Sequence, residues 1–168
     1  MPAAGYSATA PSYKIAGAGA PVKSVFKGNV MTGDQQKRQA KELLEAATRG
    51  DVVAAEAMIS DDFKLELMQR VPITLADGTP LPTVYDKNAY LGFVKQAGGT
   101  TKDGIHLTFD FAISDGPDVA VFGESNAVTL TGKIYANAYC WHFRFAGDKI
   151  ALFREYCDTH LVRTVLFG

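Results

Sequence analysis

The chain has 168 residues, of which 47% are hydrophobic and 21% charged, and its net charge is −1. This length and apolar share are typical of one soluble domain with a single core. Lysine and arginine form no cluster, and no apolar run approaches the roughly 20 residues that a membrane-spanning helix needs, so we expect neither a nucleic acid nor a membrane as partner. The two cysteines, both in predicted strands, and the absence of a basic start followed by an apolar stretch lead us to expect a cytoplasmic protein.

The start of the chain differs in composition from the rest. Residues 1–31 are rich in Ala, Gly, Ser and Pro, which is typical of a flexible arm. We therefore predict an amino-terminal arm over residues 1–31 and one domain over residues 32–168. The arm is either a mobile tail or a segment that packs on a partner subunit, and the composition is compatible with both.

Three helices are predicted from capping residues and apolar spacing. Asp34 is the predicted N-cap of the first helix, which ends at Gly50. A second helix starts at Asp51, and Asp86 caps a third helix over Lys87–Ala97. Each helix carries an apolar stripe, so we expect all three to pack on a common core.

Strands are predicted on both sides of the third helix. Phe63–Val71 alternates apolar with polar residues and stops before Pro72, which cannot donate to a sheet. Thr74–Thr83 is rich in turn residues and is predicted to be a loop. Two longer strands follow at Ile105–Ile113 and Val119–Leu130. Helices with one strand among them, followed by a run of strands, predict an α+β domain.

The segment Gly132–Asp158 is predicted to be one long hairpin. Its residues alternate with a period of two, which indicates strands, and the aromatic side indicates a buried face. Asn137 and Glu155 lie among these aromatic residues, where an ordinary core has only hydrocarbon. The predicted inner face of the first strand consists of Tyr135, Asn137, Tyr139, Trp141, Phe143 and Phe145.

This hairpin resembles the end of SnoaL-like proteins. It has a strand with tyrosines and a tryptophan, a Gly-Asp-Lys turn at residues 147–149 and an Arg-Glu-Tyr-x-Asp motif at residues 154–158. SnoaL-like proteins belong to the nuclear transport factor 2-like superfamily, with ketosteroid isomerase, limonene epoxide hydrolase and scytalone dehydratase. The resemblance implies a cone-shaped, curved mixed β-sheet that encloses one apolar pocket together with three helices. Since the superfamily includes isomerases, lyases, hydrolases and binding domains, the fold does not choose the reaction.

The hairpin register decides which carboxylate faces the pocket. A three-residue loop at residues 147–149 pairs Trp141 with Glu155. A loop one residue longer pairs Trp141 with Arg154 and favours Asp158 as the inward group. The closing motif resembles the Arg-Asp-Tyr-Phe-Asp motif of limonene epoxide hydrolase, whose first aspartate is catalytic. By this match Glu155 lines the pocket and Asp158 lies nearer the rim.

Glu155 is the predicted acid/base group. Trp141, Tyr139 and Phe153 are expected to shield its carboxyl from water, which raises the pKa toward neutrality and suits the group to move protons. The alternative is a structural carboxylate that pairs with Arg70 or another cation and closes the barrel.

The other predicted site residues come from the hairpin, the early strand and the third helix. Tyr139 and Arg70 join Glu155 as predicted catalytic residues, and Tyr139 with Asn137 can donate hydrogen bonds to an oxyanion. The alternatives are a core tyrosine with a satisfied hydroxyl and an arginine at a solvated strand end. The three histidines are scattered, so no metal is expected. Gly17-Ala18-Gly19 is not a dinucleotide fingerprint, because Pro21 follows at once and no βαβ unit surrounds it, and no cofactor is expected. The predicted substrate-binding residues are Asn137, Trp141, Phe143, Phe153, Met68, Tyr90 and Asp158.

The chain departs from these relatives at positions that carry their chemistry. Ser125 and Ala127 stand where the epoxide hydrolase pattern has an arginine and an aspartate, which disfavours epoxide hydrolysis. Val71 stands where ketosteroid isomerase has its base. We therefore predict a cofactor-independent lyase or isomerase, of the dehydratase or retro-aldol type, that acts by acid/base chemistry on an aromatic or polycyclic small molecule. The alternatives are a non-catalytic protein that binds a small hydrophobic molecule and an association domain with a vestigial pocket.

The outer face of the long strand is the predicted dimer interface. It carries small and polar residues, and the relatives commonly dimerise through their sheets, so we expect a homodimer with this face at or near the interface. The residues of this face are Ala136, Ala138, Cys140, His142 and Arg144.

Overall fold

The computed structural model describes residues 31–69, 73–75, 78–97, 99 and 101–167. The predicted arm, apart from Met31, and the predicted catalytic residue Arg70 lie outside the described residues. In the part of the chain that the structure describes, helices pack on one face of a single mixed sheet.

Helix α1, Gly33–Arg49, begins with a different cap from the one predicted. Its N-cap is Thr32 rather than Asp34. The Thr32 hydroxyl accepts from the Gln35 N–H at 3.3 Å, and the Gln35 side chain accepts from the Thr32 N–H at 2.8 Å. This reciprocal capping box satisfies two backbone donors, so it prevails over an acidic residue inside the first turn. The helix ends as predicted, at Gly50 in the left-handed conformation.

Helices α2, Val52–Met58, and α3, Lys87–Ala97, start after the predicted caps Asp51 and Asp86. In each case the cap carboxylate accepts from the backbone N–H three residues further on, at 3.0 Å for α2 and 2.9 Å for α3. The bounds predicted for α3 are confirmed. Local capping chemistry thus determines where both helices begin.

The carboxyl-terminal segment is helical, which the sequence analysis did not predict. Helix α4, Thr159–Leu161, is capped by Asp158 and continues into a π-helical turn over Val162–Leu166. Within the described ranges, every helix is too short or too polar to cross a membrane.

Six strands form the sheet. They are β1 (Ile59–Leu67), β2 (Val84–Asp86), β3 (His106–Asp115), β4 (Asp118–Val128), β5 (Ile134–Ala146) and β6 (Lys149–Cys157). Their order across the sheet is β2-β1-β6-β5-β4-β3. β1 runs parallel to β6, and the other neighbours are antiparallel. The sheet is curved, as the predicted cone requires, but it does not close into a barrel, and β2 and β3 are its edges.

Strand β1 lies four residues earlier than the predicted strand Phe63–Val71. Parallel pairing with β6 places Leu65 opposite Phe153, and the register shifts between Ile59 and Lys64. The polar residues in this shifted stretch do not alternate with apolar ones, so the period-two pattern is visible only from Phe63 onward.

The β5–β6 register at the site is the predicted one, with Trp141 opposite Glu155. The predicted loop length is wrong, because the turn has two residues, 147–148, rather than three. A β-bulge next to Phe145 leaves Ala151 without a partner in the ladder. This extra residue restores the register that a three-residue loop gives, so Glu155 still faces inward.

The odd-numbered residues of β5 face the helices, as predicted. They are buried, except for Tyr139, which is half-buried. The ring of Tyr90 from α3 lies 4.8 Å from that of Phe63, and Phe143 stacks on Phe153 at 4.7 Å. These rings join the helical layer to the sheet and form the aromatic part of the core.

Candidate active site

A cavity of about 750 Å³ lies between the inner face of the sheet and helices α1 and α3. The carboxyl-terminal segment, the loop at residues 129–131 and residues between β1 and β2 also contribute to its wall; the last group is Met68, Gln69, Ile73, Leu81 and Pro82. Its size suits a drug-sized organic molecule. Most lining residues are apolar, and several of them remain exposed, which marks where the cavity opens: Met68, Phe93, Leu130, Leu166 and Phe167.

Glu155 points into this cavity from β6. Its Oε2 accepts a hydrogen bond from the indole Nε1 of Trp141 at 3.3 Å. Burial raises the pKa of Glu155 to about 7, and the Trp141 hydrogen bond acts in the opposite direction. No Lys, Arg or His among the described residues makes an ion pair with it. The carboxyl group therefore exchanges its proton near neutral pH, as acid/base catalysis requires.

A flat aromatic wall lies beside this carboxyl group. Tyr139 and Trp141 stack with their ring centroids 4.6 Å apart and 11° between their planes. The ring of Phe109 meets Trp141 edge-on at 6.0 Å. Trp141 is only 2% exposed, so the half-buried ring of Tyr139, supported by Trp141 behind it, offers the face against which a planar ligand can pack.

Two tyrosine hydroxyls and one amide form a network on β5. The Tyr135 and Tyr139 hydroxyls lie 2.6 Å apart, and Asn137 Nδ2 donates to the Tyr135 hydroxyl at 3.1 Å. Burial raises the pKa of Tyr135 to about 12. Burial also raises the pKa of Tyr139, and the nearby charge of Glu155 raises it further. Both phenols therefore keep their protons at neutral pH, and because one hydroxyl donates to the other, one proton remains available to a ligand.

Three buried polar atoms on the cavity wall have no hydrogen-bond partner among the described residues. They are the Tyr90 hydroxyl, Ser125 Oγ and Gln69 Nε2. Buried polar groups are normally paired, so unpaired ones on a cavity wall indicate where a ligand can bind. Tyr90 is a predicted site residue, whereas Ser125 and Gln69 are site residues that the sequence did not predict. The inward parity of β4 could have identified Ser125, whereas no sequence signal marks Gln69.

The structure brings most of the predicted site residues to the cavity wall. Glu155, Tyr139, Trp141, Phe153, Met68 and Tyr90 all line it.

Three predicted substrate-binding residues lie outside the cavity lining. Phe143 is fully buried in the core against Phe153. Asn137 bonds the backbone of Asp158 in both directions, through Nδ2 to the carbonyl at 3.1 Å and through Oδ1 to the N–H at 3.0 Å. The Asp158 side chain is exposed and accepts from two N–H groups of α4. The polar groups of Asn137 and Asp158 are thus used within the protein, and the parity pattern could not show this.

The outer face of the sheet holds a separate polar cluster. The Nε2 atom of His142 lies 2.8 Å from Oδ1 of Asp118. Arg144 donates two hydrogen bonds to the same carboxylate. Cys140 faces this side, whereas Cys157 lines the cavity, so the two free cysteines point to opposite faces of the sheet. No group of three or more His, Cys, Asp or Glu in the described part of the chain could hold a metal ion.

Comparison with known proteins gives the same fold. A model of the SnoaL-like domain matches residues 40–153. An LEH-like epoxide hydrolase of M. tuberculosis shares 16% identity over 76% of this chain and 86% of that chain, with a TM-score of 0.60. A protein described as a SnoaL-like polyketide cyclase from Jannaschia sp. CCS1 shares 12% identity over 84% of this chain and 99% of that chain, with a TM-score of 0.62.

A nuclear transport factor 2-like protein of Burkholderia pseudomallei K96243 shares 17% identity over 80% of this chain and 98% of that chain, with a TM-score of 0.63. At these identities the similarity to solved structures shows the fold alone. No curated protein matches the chain.

Proposed function

The chain belongs to the SnoaL-like domain family, and on that premise we propose that it is a cofactor-independent lyase or isomerase. It acts by acid/base chemistry on an aromatic or polycyclic small molecule in the cavity. The observation that supports this most is Glu155, a carboxyl group with a pKa of about 7 inside an apolar cavity, hydrogen-bonded to an aromatic wall.

The ionised Glu155 carboxylate removes a proton from a carbon next to a carbonyl group of the substrate. The two electrons of the broken C–H bond form the enolate, and a hydrogen bond from Tyr139 stabilises its oxygen. Glu155 then returns the proton to another carbon, which gives an isomer, or donates it to a departing hydroxyl group, which gives an elimination product and water. Both outcomes use one carboxyl group as base and then as acid.

Epoxide hydrolysis, which is named for the M. tuberculosis relative, receives less support. The resemblance to limonene epoxide hydrolase requires an arginine and an aspartate on β4. Ser125 and Ala127 stand there, and both are buried on the inner face of that strand. Neither side chain can ionise, so the charged pair of that pattern is missing.

Non-catalytic binding of a small molecule is the second candidate. The polar atoms on the cavity wall that have no partner among the described residues favour ligand binding with or without a reaction. An association domain with a vestigial pocket receives less support, because a vestigial pocket gives no reason to place Glu155 and these three atoms in its wall. We keep a cytoplasmic location and a homodimer as parts of the proposal.

The proposal can be tested without knowledge of the natural substrate, by measuring whether the protein catalyses the exchange of ketone C–H hydrogen for deuterium. A panel of aromatic and polycyclic ketones is incubated with the full chain in D₂O, and mass spectrometry measures deuterium gained beside the carbonyl. We expect catalysed exchange for at least one ketone and a loss of about 10²–10⁴-fold in Glu155→Gln.

Asp158→Asn is the matched control for this experiment. It removes a carboxylate near the end of the same strand, and asparagine still caps α4, so the exchange rate should not change. Binding of panel ketones without exchange would favour the non-catalytic candidate. Exchange that persists in Glu155→Gln but disappears in Asp158→Asn would contradict the assignment of the acid/base group.

A further inference from the structure

Ser125 carries a buried hydroxyl that the reaction proposed above does not use. It lies on the inner face of β4, is 3% exposed and lines the cavity. Its Oγ has no hydrogen-bond partner in the part of the chain that the structure describes. Such a group loses its hydration without compensation, so its position on a cavity wall indicates that a ligand supplies the partner.

Asn137 anchors the neighbouring hydroxyl network. Its Oδ1 accepts from the Asp158 N–H, so its nitrogen faces the Asp158 carbonyl and the Tyr135 hydroxyl. An amide N–H can only donate, so the Tyr135 oxygen accepts that bond. The Tyr135 and Tyr139 hydroxyls lie 2.6 Å apart, and either oxygen can be the donor in the bond between them. When Tyr135 donates, the proton of Tyr139 is free for a ligand in the cavity.

Ser125 and Tyr139 lie close together on the cavity wall. Tyr139 pairs with Gly123, two residues before Ser125 on β4. Burial raises the pKa of Tyr139, and the contact with the Ser125 hydroxyl acts in the opposite direction, so the two hydroxyls are neighbours. The contact does not reach the geometry of a formed hydrogen bond, and Ser125 Oγ has no other partner among the described residues. Two hydroxyls that converge without bonding to each other can share one acceptor atom.

We propose that Ser125 and Tyr139 form a second polar subsite in the cavity, which binds one acceptor oxygen of the ligand, and that this oxygen belongs to a carbonyl group. The inference rests on the proposed function, which already has Tyr139 bind this oxygen, and it adds Ser125 as a second donor. Asn137 is a positioning residue, because it acts on the subsite through Tyr135. Glu155 is the diagonal neighbour of Tyr139 across the β5–β6 pair, because Cys157 lies opposite Tyr139, and both side chains line the cavity. A carbonyl group held by Tyr139 can therefore place its neighbouring C–H bond within reach of the base.

Fluorescence titration of the full chain with two probes tests the subsite. Prodan is a naphthyl ketone whose emission moves to longer wavelength when its carbonyl oxygen accepts hydrogen bonds. Its analogue with propyl in place of the propionyl group has no acceptor at that position. We expect Ser125→Ala and Tyr139→Phe to weaken Prodan binding by roughly fivefold to tenfold and to shift its bound emission to shorter wavelength. The affinity of the propyl analogue should stay the same.

Thr101→Val is the matched control. Thr101 Oγ1 is also buried without a partner among the described residues, but Thr101 does not line the cavity, so both probes should bind this variant as they bind the wild type. The subsite is contradicted, with the proposed function intact, if Prodan binds the wild type and Ser125→Ala with equal affinity and equal emission. If neither probe binds the wild type, both the subsite and the proposed small-molecule pocket are contradicted.

Discussion

Trp141 donates its indole N–H to the Glu155 carboxylate across the β5–β6 pair, with 3.3 Å between the nitrogen and the oxygen. This hydrogen bond lowers the pKa of Glu155, whereas burial raises it, and burial is the larger effect. The balance leaves a carboxyl group that titrates at about pH 7 next to the stacked rings of Tyr139 and Trp141. An apolar cavity thereby acquires a group that can move protons under physiological conditions.

Replacement of Glu155 by glutamine should change the pH dependence of folding stability. The folded-state pKa of about 7 lies above the ordinary value of 4.5, so between these pH values the folded protein holds a proton that the unfolded chain has lost. The wild type therefore loses stability as the pH rises through this window. We expect Glu155→Gln to match the wild type near pH 4.5 and to exceed it at pH 8 by about 2–3 kcal/mol in urea denaturation.

The same experiment distinguishes the structural alternative for Glu155. A carboxylate paired with a cation leaves that cation unpaired when glutamine replaces it. A variant that is less stable than the wild type at pH 8 would therefore show that Glu155 serves as an ion-pair partner.

Replacement of Trp141 by phenylalanine should move the pH profile of catalysis. Phenylalanine keeps an aromatic face beside Tyr139 but removes the N–H that stabilises the ionised carboxylate. The pKa of Glu155 should rise further. In a plot of deuterium-exchange rate against pH, the rise that accompanies ionisation of Glu155 should therefore move to higher pH. An unchanged position of this rise would mean that this hydrogen bond does not tune the catalytic group.

Replacement of Asn137 by alanine should destabilise the fold. The Asn137 amide satisfies both backbone groups of Asp158 and donates to Tyr135, so its removal leaves several part-buried polar atoms unpaired. We expect a loss of about 2–4 kcal/mol in the free energy of unfolding. Asn126→Ala is the control, because Asn126 is exposed on the outer face of β4. This substitution should change the free energy of unfolding by no more than about 0.5 kcal/mol. Equal effects of the two substitutions would contradict the role given to Asn137.

Some features of the site follow from local chemistry and could be predicted from the sequence. Asp51 and Asp86 cap their helices because a carboxylate accepts from the next free N–H groups whatever the tertiary context. The Trp141–Glu155 pair was predicted from a loop of the wrong length. The bulge at Ala151 compensates for the missing loop residue, and a pattern of alternation cannot distinguish the two arrangements.

Other features depend on tertiary packing and could not be predicted. Whether Ser125 and Gln69 have hydrogen-bond partners is decided by the elements that surround them, not by their own neighbours in sequence. Asn137 is predicted to bind substrate, but its amide hydrogen-bonds the backbone of Asp158, which is 21 residues away in sequence. Nothing in the sequence around Asn137 indicates this contact. Parity along a strand places a side chain on a face but does not say what that side chain bonds.

The outer face of the sheet should form a homodimer interface. Phe111 is 53% exposed there and stacks on Phe122, which is opposite Cys140 of the predicted interface. Multi-angle light scattering should give a dimer at micromolar concentration, and Phe111→Asp should shift it toward the monomer. Phe93→Asp is the control, since Phe93 is 55% exposed on α3, away from this face. A wild-type monomer at micromolar concentration would contradict the expectation.

The most direct test of the central claim is a pH titration of Glu155 by nuclear magnetic resonance. The full chain carries carbon-13 at the side-chain carboxyl groups of glutamate, and Glu155→Gln identifies the signal that belongs to this residue. We expect that signal to titrate with a midpoint of about 7, because burial in the cavity outweighs the hydrogen bond from Trp141. A midpoint at or below the ordinary glutamate value of 4.5 would show a carboxylate that is permanently ionised at neutral pH and would contradict its role as a proton-exchanging catalyst.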